Sequence, residues 1–135
     1  MGKVIYSKIN VIKQDKGDIF KILTNDSVDF DKFGEAYYSN INFNEIKGWK
    51  KHLKMQCILI PVSGDVDVVT YSIESNQFEK FKLNIKDPYR LVIPPNIIFG
   101  FKGNEISNCI LNIGNILHDP QESLTYNLNE FKYNW

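Results

Sequence analysis

The stretch at residues 46–56, IKGWKKHLKMQ, places the residue types for proton transfer and anion binding close together. Side chains two apart on a strand share a face, so an extended stretch over 48–60 would present Lys50, His52 and Lys54 on one side. An imidazole can act as acid or base near neutral pH, and lysines attract an anionic ligand. This pattern predicts either a site for an anionic ligand inside a cavity or a solvated strand edge.

Other polar positions allow two interpretations each. His118 stands in LHDPQE, where Asp119 either hydrogen-bonds the imidazole or forms a turn with it. Tyr37 and Tyr38 fit sheet packing, although a phenol facing a cavity would be a natural proton donor. Asn112 interrupts the apolar alternation of CILNIGN, and a buried amide needs partners. Asn112 therefore lines a cavity or pairs with a neighbouring backbone group.

The charge balance excludes several classes of partner. Sixteen basic residues match sixteen acidic ones, so nothing in the overall charge favours nucleic acid or an anionic membrane.

Cys57 and Cys109 lie in apolar runs and are interpreted as small core residues rather than a disulfide framework. No apolar run approaches the ~20 residues that span a bilayer, so we expect a soluble cytoplasmic protein with no membrane partner.

The elements that would position these residues are short strands. Alternating segments such as DVDVVTYSI and FEKFKLNI recur about every ten residues between Gly, Asn, Asp and Pro clusters. This spacing predicts one all-β domain over 1–135, a sandwich or jelly-roll barrel with little helix. The aromatic C-terminal tail, about 123–135, is too apolar to remain exposed to solvent. It is expected to cover a sheet edge or a subunit interface.

The glycine turn followed by G-W-x-x-H, a strand that ends in SG, and a later IPP together resemble the cupin pattern of jelly-roll barrels. Cupins with a metal centre carry three histidines and a glutamate. The corresponding positions here are Lys50, His52, Cys57 and Phe99, which do not form such a ligand set. We therefore predict a metal-free cupin barrel (a double-stranded β-helix) without a cofactor.

Several segments, in order, resemble dTDP-4-dehydrorhamnose 3,5-epimerases and dTDP-sugar 3,4-ketoisomerases. They are DKGDIFKI, GEAYYSNIN, IKGWKKHLKM, IPVSGDVDVVTYSI, LVIPPNIIFGFKG and NILHDPQE. The resemblance implies proton transfer next to a keto group. In the epimerases the base position corresponds to Lys50 and the acid tyrosine to Asn112. The ketoisomerase pattern instead matches Tyr37, Tyr38 and His52.

These correspondences imply a set of roles. His52 and Lys50 would handle protons, and Tyr38 or Asn112 would steady the enolate oxygen. The resemblance further implies substrate binding by a second group of residues, with the two lysines on the diphosphate: Lys16, Lys47, Tyr37 and His118. Lys50 would act as a base only if its surroundings favoured the neutral amine, and a charged lysine on a phosphate or sugar oxygen is the alternative.

The predicted function is isomerisation or epimerisation of a dTDP-linked 4-keto-6-deoxy sugar in surface polysaccharide synthesis, such as O-antigen or capsule. The alternative is a catalytically silent cupin that binds a sugar or nucleotide sugar and has lost the family's base and acid. The resemblance also implies a homodimer, because small cupins of this kind pair through their sheet edges. No nucleic-acid partner is expected.

Overall fold

Residues 2–135 are described by a computed structural model, and their regular secondary structure is almost entirely β. The strands are β1 Ile5–Lys8, β2 Asn10–Ile12, β3 Ile19–Lys21, β4 Glu35–Asn40, β5 Ile46–His52, β6 Cys57–Ser63, β7 Asp65–Ser72, β8 Gln77–Asn84, β9 Tyr89–Ile93, β10 Ile98–Gly103, β11 Cys109–Gly114 and β12 Ser123–Thr125. The only helical element in this range is a 3-10 turn at Pro120–Glu122. The prediction of an all-β chain with little helix is confirmed.

Two five-stranded antiparallel sheets form the barrel. The first has the strand order β1-β9-β6-β11-β4 and the second has the order β12-β5-β10-β7-β8, while β2 and β3 form a separate hairpin. Strands that are distant in sequence are neighbours in each sheet, as in a jelly roll. The turn between β6 and β7 requires Gly64, because its φ is +76° and a Cβ there would collide with the Ser107 carbonyl oxygen.

Alternation along the strands separates three apolar clusters. The cluster between the sheets contains Leu59, Val66, Val68, Leu91 and Ile110 among others. This core fills part of the barrel, and it is built by the alternation of apolar and polar residues along the strands. No helix within residues 2–135 is long and apolar enough to cross a bilayer.

The other two clusters lie on the outer faces of the sheets. On the first sheet, the β2–β3 hairpin and the following loop cover Ile58, Ile60 and Val92. On the second sheet, the aromatic side chains of the tail pack against Trp49 and Val69. Strand β12 also pairs with β5 at the edge of that sheet. The tail thus covers both the edge and the outer face of the second sheet within the chain.

The cysteines are both unpaired thiols, as predicted. Cys57 is buried in the core, whereas Cys109 is only half-buried. The expectation of an extended segment over 48–60 is wrong, because β5 ends at His52 and the chain turns before β6 begins at Cys57. Lys54 lies in that turn and is exposed, so it does not share a face with Lys50 and His52.

Candidate active site

An irregularity between β5 and β10 places two lysines on one face of the second sheet. Phe99 pairs with Lys50, whereas Phe101 pairs with Lys47, so β5 has one extra residue over this interval. Such a bulge breaks the strict alternation of side chains. Because Phe99 and Phe101 both face the interior, their partners Lys50 and Lys47 face it as well.

His52 is the next inward-facing residue on β5 after Lys50, and it is 5% exposed. Its Nδ1 lies 2.5 Å from Oε1 of Glu122, a carboxylate that is 2% exposed. The backbone amides of Lys54 and Met55 both donate to the second oxygen, Oε2, at 3.2 Å. The sequence pattern left a cavity and a solvated edge open for His52, and it did not reveal the partner of the imidazole.

Glu122 is ionised in this environment. Burial raises its pKa, but the hydrogen bonds from His52 and from the two backbone amides outweigh burial and hold the pKa below its usual value. A carboxylate can only accept hydrogen bonds, so Nδ1 of His52 carries a proton toward it. In the neutral imidazole, Nε2 is then the atom with an available lone pair.

The C-terminal segment carries Glu122 into the site. Asp119 caps the 3-10 turn by accepting from the Gln121 amide at 2.9 Å. The Leu53 amide then donates to the Glu122 carbonyl oxygen at 2.6 Å, and β12 continues along β5. The HDP segment thus acts as a turn, which was one of the two interpretations of that motif. Sequence reasoning missed Glu122, because only the pairing of β12 with β5 brings it to His52.

The opposite wall comes from the first sheet. Tyr37 on β4 and Asn112 on β11 are directly paired residues, and the Asn112 Nδ2 donates to the Tyr37 hydroxyl oxygen at 2.9 Å. Asn112 is 4% exposed, and its Oδ1 has no hydrogen-bond partner among residues 2–135. Burial raises the pKa of Tyr37 to about 12, so its phenol is protonated at neutral pH.

These two walls enclose a cavity of about 300 Å³. The residues that line it come from β4, β5, β10, β11 and β12: Tyr37, Ser39, Lys47, Gly48, Trp49, Lys50, His52, Phe99, Phe101, Asn112 and Thr125. Five of the eight predicted site residues are in this set. The cavity therefore combines an imidazole, a phenol, an amide and two cations with an aromatic floor.

The cavity has a positive electrostatic character. Lys47 donates to the Ser39 hydroxyl at 3.3 Å, and neither Lys47 nor Lys50 forms an ion pair with a carboxylate of the described residues. The one buried carboxylate nearby, Glu122, is engaged by His52. In the part of the chain that the structure describes, no three His, Cys, Asp or Glu side chains lie close enough to hold a metal ion.

Three predicted site residues lie outside the cavity. Tyr38 is 70% exposed, because alternation on β4 turns it to the opposite face from Tyr37. Lys16 lies on the exposed turn between β2 and β3. The His118 side chain is exposed, and only its backbone amide is engaged, as a donor to Glu35 at 2.8 Å. The structure thus places Tyr37, rather than Tyr38, where a proton donor could reach a ligand.

No family model and no curated protein matches the sequence, whereas many solved structures share its fold. The dTDP sugar isomerase from Desulfovibrio desulfuricans G20 is 25% identical and superposes with a TM-score of 0.91, over 98% of this chain and 90% of that one. QdtA, a sugar 3,4-ketoisomerase from Thermoanaerobacterium thermosaccharolyticum solved with TDP, is 19% identical with a TM-score of 0.79, over 95% of this chain and 90% of that one.

A third similar structure is the dTDP-6-deoxy-D-glucose-3,5-epimerase RmlC from Legionella pneumophila, solved with dTDP-4-keto-L-rhamnose. It is 12% identical with a TM-score of 0.82, and the match covers 93% of this chain and 73% of that one. The predicted resemblance is therefore confirmed. The chain has the cupin jelly-roll fold that dTDP-sugar isomerases and epimerases share.

Proposed function

We propose that this protein is an enzyme that isomerises or epimerises a dTDP-linked 4-keto-6-deoxy sugar. The observation that supports this most strongly is the buried His52–Glu122 pair at a cavity that also presents the Tyr37 phenol. A base beside the carbon and a donor beside the carbonyl oxygen are what enolisation requires. The shared fold with dTDP-sugar isomerases supports the substrate class.

The two cavity lysines suit the charge of such a substrate. Lys47 lies at the exposed rim, and Lys50 is half-buried deeper on the same strand. A cavity of about 300 Å³ accommodates the sugar and leaves the diphosphate and nucleoside toward the rim. We therefore assign Lys47 to the diphosphate. Contacts of Lys16 with the diphosphate and of His118 with the substrate remain predictions.

In the proposed reaction, Nε2 of His52 removes the proton from C3 next to the keto group at C4. The electron pair of the C3–H bond forms a C3–C4 double bond, and the π bond of the C4 keto group breaks with its electron pair moving to the oxygen. The C4 oxygen then takes the proton from the Tyr37 hydroxyl, which leaves a phenolate. The result is an enediol. If a proton then returns to C4 while the C3 hydroxyl loses one, the keto group moves to C3. If solvent instead delivers a proton to the opposite face of C3, the C4 hydroxyl returns its proton to the Tyr37 phenolate and the C4 keto group re-forms. C3 is then inverted, and His52 releases its proton to solvent.

Lys50 is assigned a charge role in this scheme rather than the role of base. His52 has a buried carboxylate that orients it, whereas no carboxylate of the described chain pairs with Lys50. A lysine cation near the sugar stabilises the negative charge that develops on the C4 oxygen. The alternative function is binding of a nucleotide sugar without catalysis. Lys50 supports this alternative, because it occupies the position where the epimerases carry their base.

Deuterium incorporation separates the two functions. We expect wild-type protein incubated with dTDP-4-keto-6-deoxyglucose in D2O to place deuterium at C4 of the product if it is a 3,4-ketoisomerase, at C3 if it inverts that carbon, and also at C5 if it is a 3,5-epimerase. His52→Gln should lower that rate about 1,000-fold, within the usual range for losing a general base. Lys51→Ala is the matched control, since Lys51 is adjacent on β5 but does not line the cavity. Mass spectrometry and NMR of the recovered sugar measure the uptake.

Two results would contradict the proposal in different ways. Calorimetric binding of the keto sugar without any deuterium uptake would favour the silent binding protein. Absence of binding would remove the nucleotide-sugar function altogether. A role in surface polysaccharide synthesis, a cytoplasmic location and a homodimeric state also stay predictions that depend on this function.

A further inference from the structure

The contact between Tyr37 and Asn112 has a fixed direction. The two residues are directly opposite on β4 and β11, so the ladder of two strands holds them together rather than a mobile loop. The Asn112 amide nitrogen lies 2.9 Å from the Tyr37 hydroxyl oxygen. An amide N–H can only donate, and therefore the hydroxyl oxygen accepts.

The Tyr37 hydroxyl proton must then point elsewhere. No atom of residues 2–135 accepts a hydrogen bond from this hydroxyl. Tyr37 is 41% exposed and lines the cavity. The hydroxyl proton is therefore available for donation to a ligand oxygen in the cavity.

The fold itself does not require an amide at position 112. Asn112 lies opposite Leu59 on the neighbouring strand β6, and Ile110 is the previous inward-facing residue on β11. The Asn112 Oδ1 is buried without a partner, which disfavours an amide compared with leucine at this place. That oxygen is also shielded from the cavity, so a ligand does not reach it.

We propose that Asn112 is a positioning residue that directs the Tyr37 proton to the ligand's keto oxygen without contacting the ligand itself. This inference rests on the proposed function. During enolisation the Tyr37 O–H bond breaks as the enol O–H bond forms, and the phenolate oxygen that remains keeps the hydrogen bond from Asn112. The amide thus selects the direction of proton donation and stabilises its product.

The isosteric variant Asn112→Asp tests the direction. A carboxylate in place of the amide accepts the Tyr37 proton and turns it away from the ligand. We expect Asn112→Asp to lower deuterium uptake about 100-fold and Asn112→Leu about tenfold, with dTDP affinity unchanged in both. Leu111→Val, next on β11 with its side chain on the outer face, is the control and should keep the wild-type rate. A wild-type rate in Asn112→Asp would overturn the proposal.

A double variant distinguishes positioning from general damage to the site. If Asn112 acts through Tyr37, then Tyr37→Phe with Asn112→Leu should be no slower than Tyr37→Phe alone. Effects that multiply would overturn the proposal. The NMR signals of the Asn112 side-chain amide protons should also shift in free Tyr37→Phe protein, and signals that do not respond would overturn it as well.

The positioning role of Asn112 can still be tested if wild-type protein shows no deuterium uptake. That result would contradict the proposed function, and the positioning role is then judged by affinity for the keto sugar. Asn112→Asp should bind dTDP-4-keto-6-deoxyglucose about tenfold more weakly than wild type, because the keto oxygen loses its donor. Equal affinities would overturn the inference.

Discussion

Two buried carboxylates, Glu122 and Asp29, have different roles. Glu122 lies next to the cavity inside the barrel, and Asp29 lies on the outer face of the first sheet. Asp29 binds Arg90 through both oxygens, with 2.7 Å to Nε and 2.9 Å to Nη2. Nη1 of the same guanidinium donates to the Ile22 carbonyl at 3.2 Å. This pair fastens the loop after β3 to the outer face of the first sheet.

Both oxygens of Glu122 also accept hydrogen bonds, but its partner His52 keeps one ring nitrogen available. The carboxylate accepts from His52 and from two backbone amides, and the imidazole still presents Nε2 at the cavity. Every hydrogen bond of Asp29 leads to structure, whereas one nitrogen next to Glu122 remains available for a ligand. Burial and pairing alone therefore do not identify a functional group, but an available atom facing a cavity does.

Neutralising Asp29 should produce the largest effect, and it should be on stability. In Asp29→Asn the amide group faces the guanidinium donors and Arg90 keeps its charge, so we expect the free energy of unfolding to fall by about 3 kcal/mol. Deuterium uptake should be unchanged, because the pair lies outside the barrel. Urea unfolding and the exchange assay measure the two quantities.

The pH dependence provides a control for that variant. The hydrogen bonds from Arg90 hold the pKa of Asp29 below its usual value. A lowered pKa in the folded state stabilises the protein above the unfolded pKa, and this contribution is lost as the pH falls through the folded pKa. The difference between wild type and Asp29→Asn should therefore narrow in acid. A difference that stays constant throughout the acid range would mean that the ion pair is not its cause.

Neutralising Glu122 should instead act mainly on the reaction. If the glutamine introduced by Glu122→Gln directs its carbonyl oxygen at the Lys54 and Met55 amides, its NH2 group donates to Nδ1 of His52 and moves the proton to Nε2. The base is then in the wrong tautomer. We expect Glu122→Gln to lower deuterium uptake about 100-fold, equivalent to about 2.7 kcal/mol, with unchanged dTDP affinity.

Glu122→Gln and Asp29→Asn together test whether the two carboxylates have different roles. If Glu122→Gln lost stability like Asp29→Asn and kept its activity, the two pairs would be equivalent structural contacts. A 15N NMR spectrum of the His52 ring distinguishes the tautomers directly. It should show the proton on Nδ1 in wild type and on Nε2 in the variant.

The contrast also explains how much the sequence could predict. Strand alternation and turn residues carry local information, which sufficed for the all-β fold and for the shared face of Lys50 and His52. The resemblance singled out the Tyr37–Tyr38 pair, but the face toward the cavity depends on the register of β4 against β11, where Tyr37 meets Asn112. Sequence alternation states that neighbours differ in direction without stating which one points inward.

The remaining features depend on long-range pairing. Glu122 is 70 residues from His52, and the cavity face that Lys47 shares with Lys50 depends on a bulge between β5 and β10. Neither leaves a periodic signal along the chain. Asp29 and Arg90, 61 residues apart, were missed for the same reason.

We expect the smallest change in the free energy of unfolding when an exposed ion pair is broken. Lys8 and Asp87 are joined at 3.2 Å, compared with 2.7 and 2.9 Å for the two contacts between Asp29 and Arg90, and their side chains are 67% and 70% exposed. Water already solvates both charges, and holding two flexible side chains costs entropy. Asp87→Asn should therefore change the free energy of unfolding by less than about 0.5 kcal/mol, as measured by urea unfolding alongside Asp29→Asn. A loss as large as that of Asp29→Asn would show that removal from water does not determine the effect of a carboxylate in this barrel.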